Sequence, residues 1–249
     1  MVTFGIELIQ NFSKSRKNGI KITDRPGAVV ICDKFDKVLR KARHMRDFYY
    51  LDDTCEEKDI RATEFNGTDN SVVDNVDLFF ISTHGGHDDE YMELCFDNKN
   101  TDWTASSKYW KLGDRRLKWL MMNACSTIEK KNYYKCWNVF SNLHEICGAY
   151  GKMVRAPSTV EIGEDIAENL IDGKTVADAW LNGVSDWAHN NHPIVVAADD
   201  DEGTLNILER DHLPGHGYSI PDNEMKRANI LTAKWVEGSV LTTFMKELF

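Results

Sequence analysis

No apolar run in this chain approaches the ~20 residues that a membrane-spanning helix needs, so no span is expected. The amino terminus, MVTFGIELIQNFSKSRKNG, has neither a basic lead nor a long apolar segment. It does not read as a signal peptide, and the cytoplasm is the expected location. Excess positive charge is also missing. The formal net charge is -10, which argues against non-specific nucleic-acid binding. The short basic clusters Lys14–Lys17 and Arg40–Arg43 read as solvated faces. None of the six cysteines (Cys32, Cys55, Cys95, Cys125, Cys136 and Cys147) forms a C-x-x-C pair. A cytosolic chain of this size needs no disulfide framework, and most of them read as small buried apolar residues. Repeats, low-complexity tracts and Pro/Gly/Ser linkers are absent as well, so residues 1–249 read as one domain.

What is present is an alternation of apolar strands and helical stripes. Val2–Ile9 alternates as a strand. Ile31, Phe35, Val38 and Leu39 form a helical stripe. Phe48–Leu51 is a short aromatic strand. Val76–Ser82 and Leu117–Ala124 are apolar at almost every position, as strands covered on both faces are. Residues 87–114 read as a long polar excursion, and residues 133–143 suggest a helix. Glu145–Val154 reads as a strand ending near Pro157. Helices are expected over Ile162–Leu170, stopped by Asp172-Gly173, and over Thr175–Trp187, capped by Thr175. Pro193–Ala198 is a further strand, and the tail from Met225 reads as a helix and a strand. This pattern indicates an α/β sandwich with a mostly parallel sheet. Such sheets bind ligands at the carboxyl ends of their strands.

Two strands end on reactive residues. FFISTHGG closes on His84-Gly85-Gly86, and LMMNACST closes on Asn123-Ala124-Cys125-Ser126. Neighbouring parallel strands would set His84 and Cys125 across one cleft. Cysteine attacks as thiolate, and a histidine nearby accepts the proton or delivers it to the leaving group. Attack on a carbonyl also needs oxyanion donors. The N–H groups of Gly85 and Cys125 fit that task, with Gly85 leaving room for the substrate because it lacks a Cβ. Gly86, His87, Asn123 and Ser126 are the expected neighbours of the pocket.

These two motifs resemble the signature of the caspase, legumain, gingipain, clostripain and separase clan of cysteine peptidases: an apolar strand ending in His-Gly, then a second ending in Ala-Cys. The segment GEDIAENLIDGKTVADAW is similar to a helical segment of caspase-like proteins. The chain is also similar to a little-characterised microbial family with these features. The resemblance implies a single caspase-like three-layer sandwich over 1–249, a Cys125–His84 dyad, no third triad member, and no metal or organic cofactor. It implies a peptide or amide substrate. The signatures behind the aspartate preference of caspases are not recognisable, nor is a cleavable inter-subunit linker.

Other residues invite sharper and blander readings. His84, His87 and Asp88 or Asp89 resemble a metal site, but no second ligand pair appears. His212 and His216 flank Pro214-Gly215, which favours a loop. The run Asp199, Asp200, Asp201 and Glu202 reads as a solvated run, as a pocket wall that selects a basic substrate group, or as a calcium loop, although it lacks the full spacing of an EF-hand. Trp180, Trp187 and Trp235 read as core. Ser126 and Thr127 read as the start of a helix. Alternatives to hydrolysis are Cys–His acyl transfer, ligation or cyclisation, and a non-catalytic binding module on the same fold.

Overall fold

The computed structural model describes residues 1–12, 16–17, 20–88, 90–97, 104–153, 160–185, 191–237 and 240–247. Asp89, Val154, Pro157 and Trp187 lie outside the described residues. Five strands run parallel: β1 (Thr3–Leu8), β2 (Met45–Leu51), β3 (Leu78–Ser82), β4 (Trp119–Asn123) and β5 (Glu145–Ala149). Three antiparallel strands extend the sheet: β6 (Pro193–Asp199), β7 (Ile230–Glu237) and β8 (Val240–Glu247). The order across the eight strands is β2-β1-β3-β4-β5-β6-β7-β8. The tail is therefore a strand pair, preceded by one helical turn at Asp222–Met225. It is not the single helix and strand expected.

Every residue of β3 and β4 is buried. Their unbroken apolar runs follow from coverage on both faces. One face carries three helices: α1 (Ala28–Lys41), α2 (Ile162–Ile171) and α3 (Val176–Ser185). Ile31, Phe35 and Leu39 of α1 form the buried stripe, and Phe35 stacks on Phe80 with ring centroids 4.5 Å apart. Gly173 ends α2 with φ +84°, the left-handed stop that glycine permits. Thr175 Oγ1 accepts the Asp178 N–H at 3.1 Å, capping α3 as expected.

The other face is covered by irregular chain with short 3-10 turns. Phe48 lies over Gly5, while Thr127 and Ile128 lie over Gly148. The helix expected over 133–143 is a 3-10 run, Tyr133–Val139. Three short strands interrupt the polar excursion and form a small antiparallel sheet: Gly85–His87, Met92–Cys95 and Thr104–Ser106. Trp180 and Trp235 are buried in the core. Among the described residues no helix is long and apolar enough to cross a membrane.

Candidate active site

The strand order reverses between β1 and β3, since β2 lies on one side of β1 and β3 to β5 on the other. Such a switch point opens a crevice at the carboxyl ends of parallel strands. His84 follows β3 at this crevice. Its ring Nε2 donates to the Thr23 carbonyl at 2.7 Å. A carbonyl only accepts, so Nε2 carries a proton. Phe12 packs edge-on against the imidazole, with centroids 4.7 Å apart. The segment supporting His84 is strapped to the chain leaving β1: Arg25 N–H donates to the Gln10 carbonyl at 2.7 Å, and Phe12 N–H donates to Asp24 Oδ1 at 2.9 Å.

Cys125 follows β4, the hydrogen-bonded neighbour of β3, with Ser82 paired to Asn123 at the strand tips. The chain bends sharply there, as Ala124 N–H donates back to the Met122 carbonyl at 2.8 Å. Ser126 then takes a left-handed backbone, φ +48°, and its N–H donates to the Gly151 carbonyl at 2.8 Å. Cys125 is thus held on a tight turn of unusual conformation, half-buried rather than packed away. Its sulfur accepts the Met153 N–H at 3.3 Å and lies 3.8 Å from the Met153 carbonyl. No helix starts at Ser126-Thr127. Thr127 instead accepts the Ala149 N–H at 3.1 Å, tying the turn to β5.

Gly85 brings the two loops together. A Cβ at this position would lie 2.8 Å from the Cys125 carbonyl oxygen and 2.9 Å from the Ala124 Cβ. Here glycine allows close backbone packing, so Gly85 does not leave room for the substrate. Open space lies instead at Gly86, whose Cβ position has no heavy atom within 4 Å. Cys95 N–H donates to the His84 carbonyl at 2.8 Å, and Gly85 pairs with Leu94. Bonded residues alternate along an antiparallel ladder, which turns the Gly85 N–H away from the Met92–Cys95 strand. Among the described residues no backbone carbonyl accepts the Cys125 N–H.

Asn123 is buried, not pocket-lining. Its side chain donates to Ser82 Oγ at 3.0 Å. Its carbonyl accepts the Thr83 N–H at 3.3 Å and Arg25 Nη1 at 2.8 Å. The three bonds knit both strand tips to the loop before α1. Arg25 is a buried cation at this end of the sheet, and it escaped sequence reading, as did Thr23. Both lie in the polar stretch 11–25, and a backbone carbonyl has no side-chain signature.

Asp199, Asp200 and Asp201 lie elsewhere. Because β6 is antiparallel to β5, its carboxyl end sits beside the start of β5, and Ala198 N–H donates to the His144 carbonyl at 3.1 Å. The run is therefore at the sheet end opposite Cys125. Asp199 and Asp200 are buried and turn inward. Asp199 Oδ1 accepts the N–H of Asp200 at 2.8 Å and of Asn206 at 3.0 Å. Asp200 Oδ1 accepts the N–H of Thr204 at 2.5 Å and of Leu205 at 3.2 Å. Asp201 is exposed. These carboxylates fold their own loop and form no wall of the crevice.

Four of the other cysteines are held as thiols by burial. It raises Cys32 despite the opposing charge of Arg25, raises Cys55 and Cys147 well above the ordinary thiol value, and pushes Cys136 up to about 12. His87 is exposed, with Nδ1 3.0 Å from the Asp88 carbonyl. Among the described residues no group of three or more His, Cys, Asp or Glu is placed to hold a metal ion.

The fold and this crevice define an α/β protein with cysteine and histidine at adjoining strand tips. A family model described as a domain of unknown function, DUF6345, matches residues 6–235, so the chain belongs to that family. No curated protein matches it. Among solved structures it is similar to the Drosophila initiator caspase Dronc at 12% identity and a TM-score of 0.39, over 76% of this chain and 73% of that one.

Proposed function

We propose that this protein is a cysteine-dependent hydrolase that cleaves a peptide or related amide bond on a caspase-like fold, with Cys125 as nucleophile and His84 as its acid–base partner. One observation carries the reading. His84 and Cys125 leave two paired parallel strands at the same end, and Gly85 packs directly on the Cys125 backbone. The motifs' resemblance to the caspase–legumain clan agrees with it.

On this reading His84 Nδ1 takes the thiol proton, and the Cys125 sulfur attacks the carbonyl carbon. The C=O electron pair moves onto oxygen, which accepts hydrogen bonds from the Gly85 and Cys125 N–H groups. As the C–N bond breaks, its electrons go to nitrogen, and His84 delivers the proton to the departing amine. The acyl group is left as a thioester. Water then gives a proton to His84 and its oxygen to the acyl carbon. The thiolate departs and the acid is released. The Thr23 carbonyl keeps the imidazole in the tautomer that both steps require.

The test is turnover of a peptide library by wild type, Cys125→Ala and His84→Ala, with mass spectrometry of trapped acyl-enzyme. Each substitution should lower turnover by about 10³-fold or more, with the acyl mass on Cys125. Turnover that survives Cys125→Ala would end the proposal.

A further inference from the structure

A fully buried histidine, His144, lies at the sheet end away from Cys125, where β4 and β5 start. Its backbone N–H donates to the Lys118 carbonyl at 2.9 Å, and its carbonyl accepts the Ala198 N–H at 3.1 Å. Its ring Nδ1 lies 2.6 Å from Asp211 Oδ2. Asp211 is buried too. Its Oδ2 also accepts the Trp119 indole N–H at 2.9 Å, and its Oδ1 accepts the Ile220 N–H at 2.8 Å. An ionised carboxylate only accepts, so Nδ1 carries a proton. Trp119 packs edge-on against the imidazole, with centroids 5.9 Å apart.

The second ring nitrogen, Nε2, has no hydrogen-bond partner among the described residues. Facing it at 3.6 Å is Asp222 Oδ1. The Asp222 side chain is 62% exposed, begins the helical turn Asp222–Met225, and meets Lys118 Nζ through the same oxygen at 2.6 Å. As the N–H of an imidazolium, Nε2 attracts this carboxylate. As a lone pair, it repels it.

The other charged groups packed around His144 do not replace Asp222. Lys118 opposes the imidazolium. Glu145 is held neutral: burial first, then the charges of Asp211 and Asp178, raise it well above the usual carboxylate range. Asp178 and Glu209 meet Lys234 at 2.9 Å and 2.7 Å. Glu224 meets Arg227 at 3.2 Å. Asp199 and Asp200 accept N–H groups of their own loop. Burial works against protonation of His144, but the bonds to Asp211 and Asp222 outweigh it and raise the imidazole above its ordinary value. The contact with His144 lowers the Asp222 carboxyl well below its ordinary range, and Lys118 adds to this.

Asp211 and Asp222 bracket part of the long connection between β6 and β7. Between them, His212 N–H donates to the Tyr218 carbonyl and His216 N–H to the Leu213 carbonyl, both at 2.9 Å. After the helical turn, Arg227 N–H donates to the Glu224 carbonyl at 3.1 Å and Ala228 N–H to the Met225 carbonyl at 3.0 Å, and β7 begins at Ile230. We propose that His144 is a pH-operated latch for this segment. With both ring nitrogens protonated it clamps residues 211–229 onto the starts of β4 and β5 through Asp211 and Asp222. On losing the Nε2 proton it releases Asp222 and keeps Asp211. A histidine raised in the folded state stabilises fully below its ordinary value, about 6.5, and that contribution is lost as pH rises through the folded value. Lys118 still holds Asp222 after release, so the segment loosens and does not unfold. The latch does not depend on the hydrolase reading.

Two measurements on the intact protein test it. The ring NMR signals of His144 give its titration point, expected above about 6.5. A ring that titrates at or below that value, or that keeps its proton beyond about pH 10, overturns the latch. Hydrogen exchange, corrected for the intrinsic rate and read by mass spectrometry, is then compared on both sides of the titration point. Residues 211–229 should exchange about fivefold faster above it, a modest factor because Asp222 is exposed, while Thr3–Leu8 should not change. In Asp222→Asn, which alters an exposed side chain and leaves the Asp211 bond in place, residues 211–229 should exchange at the faster rate on both sides. Lys118→Gln should keep the pH step. Equal exchange on both sides in wild type, a step shared by Thr3–Leu8, a step that survives Asp222→Asn, or one that vanishes in Lys118→Gln would each overturn the proposal.

Discussion

The Cys125 carbonyl oxygen would lie 2.8 Å from a Cβ on Gly85, so the loops leaving β3 and β4 touch backbone to backbone. Real Cβ atoms do not sit that close to a carbonyl, and the backbone of either loop would have to shift. Gly85→Ala should therefore separate the two tips. We expect a loss of about 1–3 kcal/mol in stability, as for other overpacked sites, and about 10²-fold in turnover through misplacement. Gly86→Ala, with open space at its Cβ, should leave the melting temperature within about 2 °C of wild type. Melts and peptide assays of the two variants make the comparison, and equal effects would remove the packing argument.

Cys125 should alkylate before the other cysteines. It is half-buried, whereas the other five are buried, and burial raises the thiols of Cys32, Cys55, Cys136 and Cys147. Thiolate, not thiol, reacts. Limited iodoacetamide treatment followed by peptide mapping should find the label at Cys125 first. Faster labelling at any of the others would contradict the assignment.

The acidic run should matter to stability and not to substrate choice. Asp200→Ala removes the acceptor of the Thr204 and Leu205 N–H groups and should cost about 1–3 kcal/mol. The charge preference in a peptide assay should stay as in wild type, because the loop is at the far end of the sheet from Cys125. A changed preference in Asp200→Asn or Asp201→Asn would restore the run to the site.

A histidine pair away from the crevice gives a pH signature. His44 Nδ1 accepts the Val2 N–H at 3.2 Å, so its Nε2 carries the proton toward His216 Nε2 at 3.1 Å. His216 Nδ1 in turn meets the Ile171 carbonyl at 2.6 Å. Burial first, then His216 and the amino terminus, lower His44 to about 4. A histidine lowered in the folded state binds its proton more readily when unfolded. Its stabilising contribution is complete above about pH 6.5 and is lost as pH falls toward the folded value. The unfolding free energy of wild type, from denaturant titrations, should drop between these limits relative to His44→Gln, by roughly 2 kcal/mol. Parallel profiles would show that His44 does not titrate this way.

The strand and helix pattern was legible in the chain because burial imposes its period directly. Leu78–Ser82 and Trp119–Asn123 are apolar throughout since both faces are covered, and Ile31, Phe35 and Leu39 mark the inner side of α1. His84 and Cys125 were legible as well, each closing such a strand. Local signals failed where distant chain decides conformation. Ser126-Thr127 looked like a helix start, but bonds to Gly151 and Ala149 hold a left-handed turn there. Residues 133–143 gave a 3-10 run instead of an α-helix.

Local residue type and spacing specify the alternation of strands and helices and mark His84 and Cys125 at the strand ends. Which strands are neighbours, and hence which strand ends meet, comes from the packing of the whole sheet. It set β3 beside β4, which joins His84 to Cys125 through Gly85. It also reversed β6 against β5, which carries Asp199–Asp201 to the opposite end. Strand direction is fixed by how connections pack over the whole sheet, while an acidic run reads the same at either end. The Thr23 carbonyl that orients His84 belongs to the same class: it is a backbone atom, common to every residue, and only the fold gives it a partner.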